Sequence, residues 1–124
     1  GFHGPRLMEL TGLQTQETQA RRLLNDIARY RIDLERELGM PVPESMAAAR
    51  WFDRVFTPAM AAVPLALRAK LEGAEIYHQM LEHRWFLSEG RGRDVGMDAA
   101  IASYVGQVLP HVPDERQLVD SSAD

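Results

Sequence analysis

Between Ala20 and Leu38 the apolar residues recur with a single period. Ala20, Leu23, Leu24, Ile27, Tyr30, Leu34 and Leu38 follow an i, i+3, i+4, i+7 spacing. That spacing lines up one face of an α-helix and would scatter over both faces of a strand. The opposite face carries Arg22 with Asp26 and Arg29 with Asp33, ion pairs of the i,i+4 kind. No stretch of the chain alternates apolar and polar residues, and no hairpin dipeptide separates two such stretches. The expectation is an all-α fold, an irregular bundle of four to five helices.

Glycine and proline mark the joints. Residues 1–12 read as a loose lead-in with a helical turn from Pro5, and Thr11 with Gln14 as the capping box that starts the long helix. Gly39 stops that helix, and Pro41 and Pro43 hold the connector extended. Pro43 is placed to open a second helix at its first position. The apolar side of this helix reads as Met46, Ala49, Phe52, Val55, Phe56, Ala59, Met60 and Val63, widened by Trp51. Pro58 falls inside it and predicts a kink or break near Phe56. A short helix over 65–71, a central helix from Ala74 to Glu89, and a last helix from Met97 to Leu109 complete the set. The glycine-rich stretch 90–96 connects the last two. The helical domain is expected over 13–110, with a flexible tail over 111–124.

The chain has 124 residues, which suits one domain with a real core. It has no cysteine, so disulfides, thiolate catalysis and cysteine-ligated zinc are excluded. A net charge of −4 argues against binding a phosphate backbone, and no nucleic-acid partner is expected. No apolar run reaches the roughly 20 residues needed to span a bilayer. The start has no basic region followed by an apolar run, as a signal peptide would. These features lead to an expectation of a cytoplasmic protein without membrane insertion. The chain does not begin with Met, which leads to the expectation that it is a piece of a longer polypeptide.

The chemistry-bearing side chains gather between Glu75 and Glu89. On a helix, Glu75, His78 and Glu82 share an arc about 60° wide. Glu-x-x-His is half of the motif that carboxylate-bridged metal bundles use, but no second half occurs elsewhere in the sequence. No metal and no cofactor is therefore favoured. Ile76, Tyr77, Met80, Leu81, Trp85 and Leu87 form the expected core side, with His78 and His83 at its edges. Arg84 falls in the middle of that arc. A guanidinium keeps its proton, so a buried one needs a partner. The readings are a pair with Asp26 or Asp53, an anion site, or a side chain that snorkels to water. His83, Arg84, Arg91 and Arg93 are the ligand or anion candidates, the last two because they precede a helix N-terminus. Ser45, Ser88 and Ser103 have no nucleophile elbow around them. The residues reveal no catalytic constellation, and the chain reads as non-enzymatic.

The segments QARRLLNDIARYR (19–31), LEHRWFLSEGRGRDVG (81–96) and SYVGQVLP (103–110), with the region from Val42-Pro43-Glu44 to Trp51, resemble a bacterial family. It is the mainly actinobacterial domain of unknown function 4032, and the likeness runs from about Leu10 to Pro113. HRWFLSE is its most specific run. Where the family opens the central helix with a proline, this chain has Gly73. The resemblance implies a domain that follows a lipopolysaccharide-kinase-like region, and it supplies no catalytic residues. No kinase motif occurs in this chain. The expected function is a helical accessory module that packs against, or regulates, a neighbouring domain or a partner protein, with a homo-oligomer compatible. The alternative is a small-ligand or metal site on the 75–84 helix.

Overall fold

The structure is a computed structural model that describes residues 1–114. Among these residues every regular element is helical and none is a strand, so the chain is all-α as expected. Two compact units are distinguished, Gly1–Pro58 and Ala59–Asp124, the second described as far as residue 114.

In the first unit, α1 (His3–Thr11), α2 (Glu17–Leu38) and α3 (Glu44–Trp51) pack on one another. The stretch expected as a loose lead-in is thus a helix, and its Leu7 is fully buried. Thr11 ends α1 and does not start α2. Its hydroxyl donates to the Leu7 carbonyl and accepts from the Leu13 N–H. Gly12 then takes a left-handed conformation, φ 77°, that glycine adopts without steric cost. The capping box lies further on, where Gln16 and Gln19 bond reciprocally. The first residue of α2 also caps α1: the Glu17 carboxylate accepts the His3 and Gly4 N–H groups, both at 3.1 Å, and pairs with the His3 ring. Those amides belong to the group that a helix N-terminus leaves without internal partners. Arg6 on α1 pairs with Glu44 on α3.

Ala20, Leu23, Leu24, Ile27 and Leu34 of α2 are buried as the periodicity predicts, while Leu38 is half exposed. The extended connector is fastened through Val42. Its N–H donates to Glu35 Oε2 at 2.8 Å, and its carbonyl accepts from Arg31 Nε at 2.7 Å. Pro43 stands at the N-cap of α3, one residue before its expected place.

The buried residues of α3 are Ala47, Ala48 and Trp51, not Met46 and Ala49. A π-helical turn over Phe52–Phe56 explains the difference before α4 (Thr57–Ala61) resumes. A π turn adds a residue to the ladder, so the buried positions step by five from Trp51 to Phe56. A strict α period run backwards from Phe56 reaches the wrong face. The turn lies where Pro58 removes an N–H and its ring crowds the carbonyl four residues earlier. Trp51 is fully buried, donates from Nε1 to Asp26 Oδ2 at 2.9 Å, and packs on Phe56 with ring centroids 5.7 Å apart.

In the second unit a 3-10 turn (Leu65–Leu67) precedes α5 (Gly73–Arg91). Then comes α6 (Met97–Ser103), which runs into a second π turn (Tyr104–Val108) and a 3-10 turn (Leu109–His111). The short helix expected over 65–71 is only that 3-10 turn. Pro110 stands two residues after the second π turn, as Pro58 does after the first. The core of this unit includes Val63, Ile76, Tyr77, Met80, Tyr104 and Leu109. Of the tail expected over 111–124, residues 115–124 lie outside the described part.

Candidate functional site

Helix α5 is half core element and half platform. Its buried residues, Ala74, Ile76, Tyr77 and Met80, all lie in the first half. From Leu81 to Arg91 no residue is fully buried. The helix runs two residues past its expected end, through Gly90, and closes at Gly92 with φ 68°. Trp85, expected in the core, is 66% exposed, and so is the adjacent Phe86. The helical wheel misplaces Trp85 because it assumes that one face is covered along the whole length.

A polar seam joins α5 to α6 and the second π turn. The Tyr104 hydroxyl donates to Gln79 Oε1 at 2.6 Å, and Gln79 Nε2 donates to Glu75 Oε1 at 2.9 Å. Desolvation, with Glu75 nearby, pushes the Tyr104 hydroxyl above its usual range and keeps it a donor. One turn along, His83 Nε2 and Ser103 Oγ are 2.7 Å apart. The His83 ring lies against Phe86 and Tyr104, with centroids at 6.2 and 6.3 Å. Burial holds its pKa below the usual 6.5. A histidine beside a serine is two thirds of a nucleophilic triad. No carboxylate joins the pair among the described residues.

Glu75, His78 and Glu82 share a stripe, as the wheel predicts. His78 Nδ1 is 3.9 Å from Glu75 Oε2, and its Nε2 is 3.3 Å from Glu82 Oε1. The first is too long for a hydrogen bond and the second is not aligned for one, so both buried ring nitrogens lack a hydrogen bond. Among the described residues no group of three or more histidine, aspartate or glutamate side chains is placed to hold a metal ion.

Arg84 finds its carboxylate locally. Its Nε donates to Asp94 Oδ1 at 2.9 Å and its Nη2 to Asp94 Oδ2 at 2.6 Å. The expected partners, Asp26 and Asp53, are replaced by a residue of the connector. This two-pronged donation holds the Asp94 carboxyl well below the usual carboxylate range, helped by the Gly96 N–H at 3.0 Å. Asp94 with Gly96 is a side-chain turn of the Asx type, a signal present in the sequence and not used. Arg91 and Arg93 are exposed beside it. The connector's amides are engaged within the chain: Gly92 N–H and Arg93 N–H donate to Glu89 and Ser88 carbonyls, and Val95 N–H to Ser88 Oγ.

The sequence profile of the family described as "Domain of unknown function (DUF4032)" matches residues 1–109. The chain belongs to this family. No curated protein and no solved structure matches it. In this member of the family, among the described residues, no helix is long and apolar enough to cross a membrane.

Proposed function

We propose that this domain is a non-enzymatic helical interaction module that packs against, or regulates, a neighbouring kinase-like domain or a partner protein. The observation that carries the reading is the aromatic pair Trp85 and Phe86. Each is 66% exposed on a helical stretch with no buried residue of its own. Exposed aromatic residues cost solvation and are enriched where proteins meet. The polar side chains just before the pair are engaged within the chain: Arg84 with Asp94, and His83 with Ser103. The pair is thus presented on a preformed helix, which lowers the backbone entropy lost on association. Iodide quenching of Trp85 in the native polypeptide tests this. Protection that disappears on removing the proposed neighbouring domain or partner supports the reading. A Trp85 that stays fully quenchable, alone and with every neighbour, overturns it.

A small-ligand or metal site on the 75–84 helix is the second reading, favoured by the two unbonded ring nitrogens of His78 between Glu75 and Glu82. Melting curves with added zinc, iron or manganese, and with His78→Ala as control, decide it. Unchanged melting in all three excludes a metal.

A further inference from the structure

The platform half of α5 carries a charge pattern as well as an apolar one. Successive helical residues are rotated by about 100°, so Glu82, Trp85, Phe86 and Glu89 occupy one arc of the helix surface. All four are exposed. The carboxylates bracket the rings, one turn before and one turn after, about 10 Å apart along the axis. Glu82 approaches His78, yet its side chain remains 52% exposed. Two of the nearby arginines are turned elsewhere: Arg84 is held by Asp94, and Arg91 falls on the opposite side of the helix.

We infer that this face docks a basic, apolar helical segment of a protein partner, with apolar side chains on Trp85 and Phe86 and lysines or arginines on Glu82 and Glu89. The inference rests on the interaction-module reading and specifies the chemistry of the partner. Charge complementarity selects that occupant. A cation drawn to either carboxylate comes within about one helical turn of an aromatic ring, whose face attracts cations. A second copy of this chain is disfavoured. Two-fold antiparallel pairing about the point between Trp85 and Phe86 sets Glu82 against Glu89 of the other copy, and parallel pairing sets each glutamate against itself. Both arrangements oppose like charges at an interface that must be self-complementary. Nucleic acid and anionic lipid are repelled by the same carboxylates and by the net charge of −4.

Calorimetric titration of the whole chain with an amphipathic peptide of leucine and lysine, roughly 18 residues long, tests the inference, with a leucine and glutamate peptide as counterpart. Trp85 emission provides the local report, since Trp51 is fully buried. The lysine peptide is expected to bind and to shift that emission. Glu82→Gln with Glu89→Gln is expected to weaken it about tenfold, as is added salt. Trp85→Ala with Phe86→Ala is expected to abolish binding. Glu9→Gln with Glu37→Gln, which removes equal charge from exposed positions elsewhere, is expected to change nothing. Equal weakening by this control pair overturns the inference, as does self-association that buries Trp85. Binding of the glutamate peptide through Trp85 and Phe86 removes the charge inference and leaves the interaction module standing. A face that takes neither peptide, with Trp85 quenchable in the native polypeptide, removes both.

Discussion

Arg84 is gripped at two nitrogens by one carboxylate, and that grip sets the turn between α5 and α6. Asp94 also accepts the Gly96 N–H, so the pair fixes the backbone that starts α6. Asp94 is largely in water, and solvent screens the attraction. Arg84→Met is therefore expected to raise hydrogen exchange at the Gly96 and Val95 amides while lowering Tm only slightly. Cooperative unfolding on that substitution would show that the pair supports the core as well. Ser103 has a different role: it is the hydrogen-bond partner of a part-buried imidazole nitrogen. Ser103→Ala leaves that nitrogen unsatisfied and is expected to cost about 1 kcal/mol, read from the urea midpoint. An unchanged midpoint would mean that water replaces the hydroxyl without penalty.

At the scale of elements, the π turn at Phe52–Phe56 decides which side of α3 is buried. Ala47, Ala48 and Trp51 precede it, Phe56 closes it and Ala59 follows. Deleting Asp53, an exposed residue inside the turn, together with Pro58→Ala so that the ladder can close, is expected to restore a four-residue step and leave near-UV dichroism and Tm close to the parent. Deleting Arg50 is expected to rotate Ala47 and Ala48 away from the core and abolish cooperative melting. Equal damage from both deletions would refute the phase argument. The same turn shows what the sequence conceals. Helix α2 was legible because its period runs unbroken from Ala20 to Leu34 and Gly39 ends it. The face of α3 was not, because a one-residue slip has no signature beyond Pro58. Helix α1 was hidden because Leu7 is its single buried residue, too few to make a period. Trp85 was misplaced for the opposite reason: its spacing is good, but its helix outruns the core.

Across the whole molecule, acid acts on the two units at different pH. His83, in the second unit, is held neutral by burial. The unfolded chain binds its proton below about 6.5, so the contribution is complete above that pH and is lost as pH falls toward the lowered value. Glu17, in the first unit, is held down to about 2 from a usual 4.5, chiefly by the His3 ring and then by the Gly4 and His3 amides. Its contribution is complete above pH 4.5 and is lost as pH falls toward 2. Native-state hydrogen exchange is therefore expected to show amides of the second unit losing protection as pH falls below about 6.5. The α1 amides should hold until below pH 4.5. Simultaneous loss in both units would contradict this order.

The two π turns bear on how the family can vary. Each sits two residues before a proline, and each is a site where the chain can shorten by one residue without disturbing the helix on either side. Length polymorphism among relatives should therefore concentrate between Trp51 and Phe56 and between Ser103 and Leu109. It should be coupled to the proline, since a chain that has lost the extra residue must place any proline against a regular ladder. Both turns are thus natural places for a single-codon deletion, provided that the proline is replaced with it.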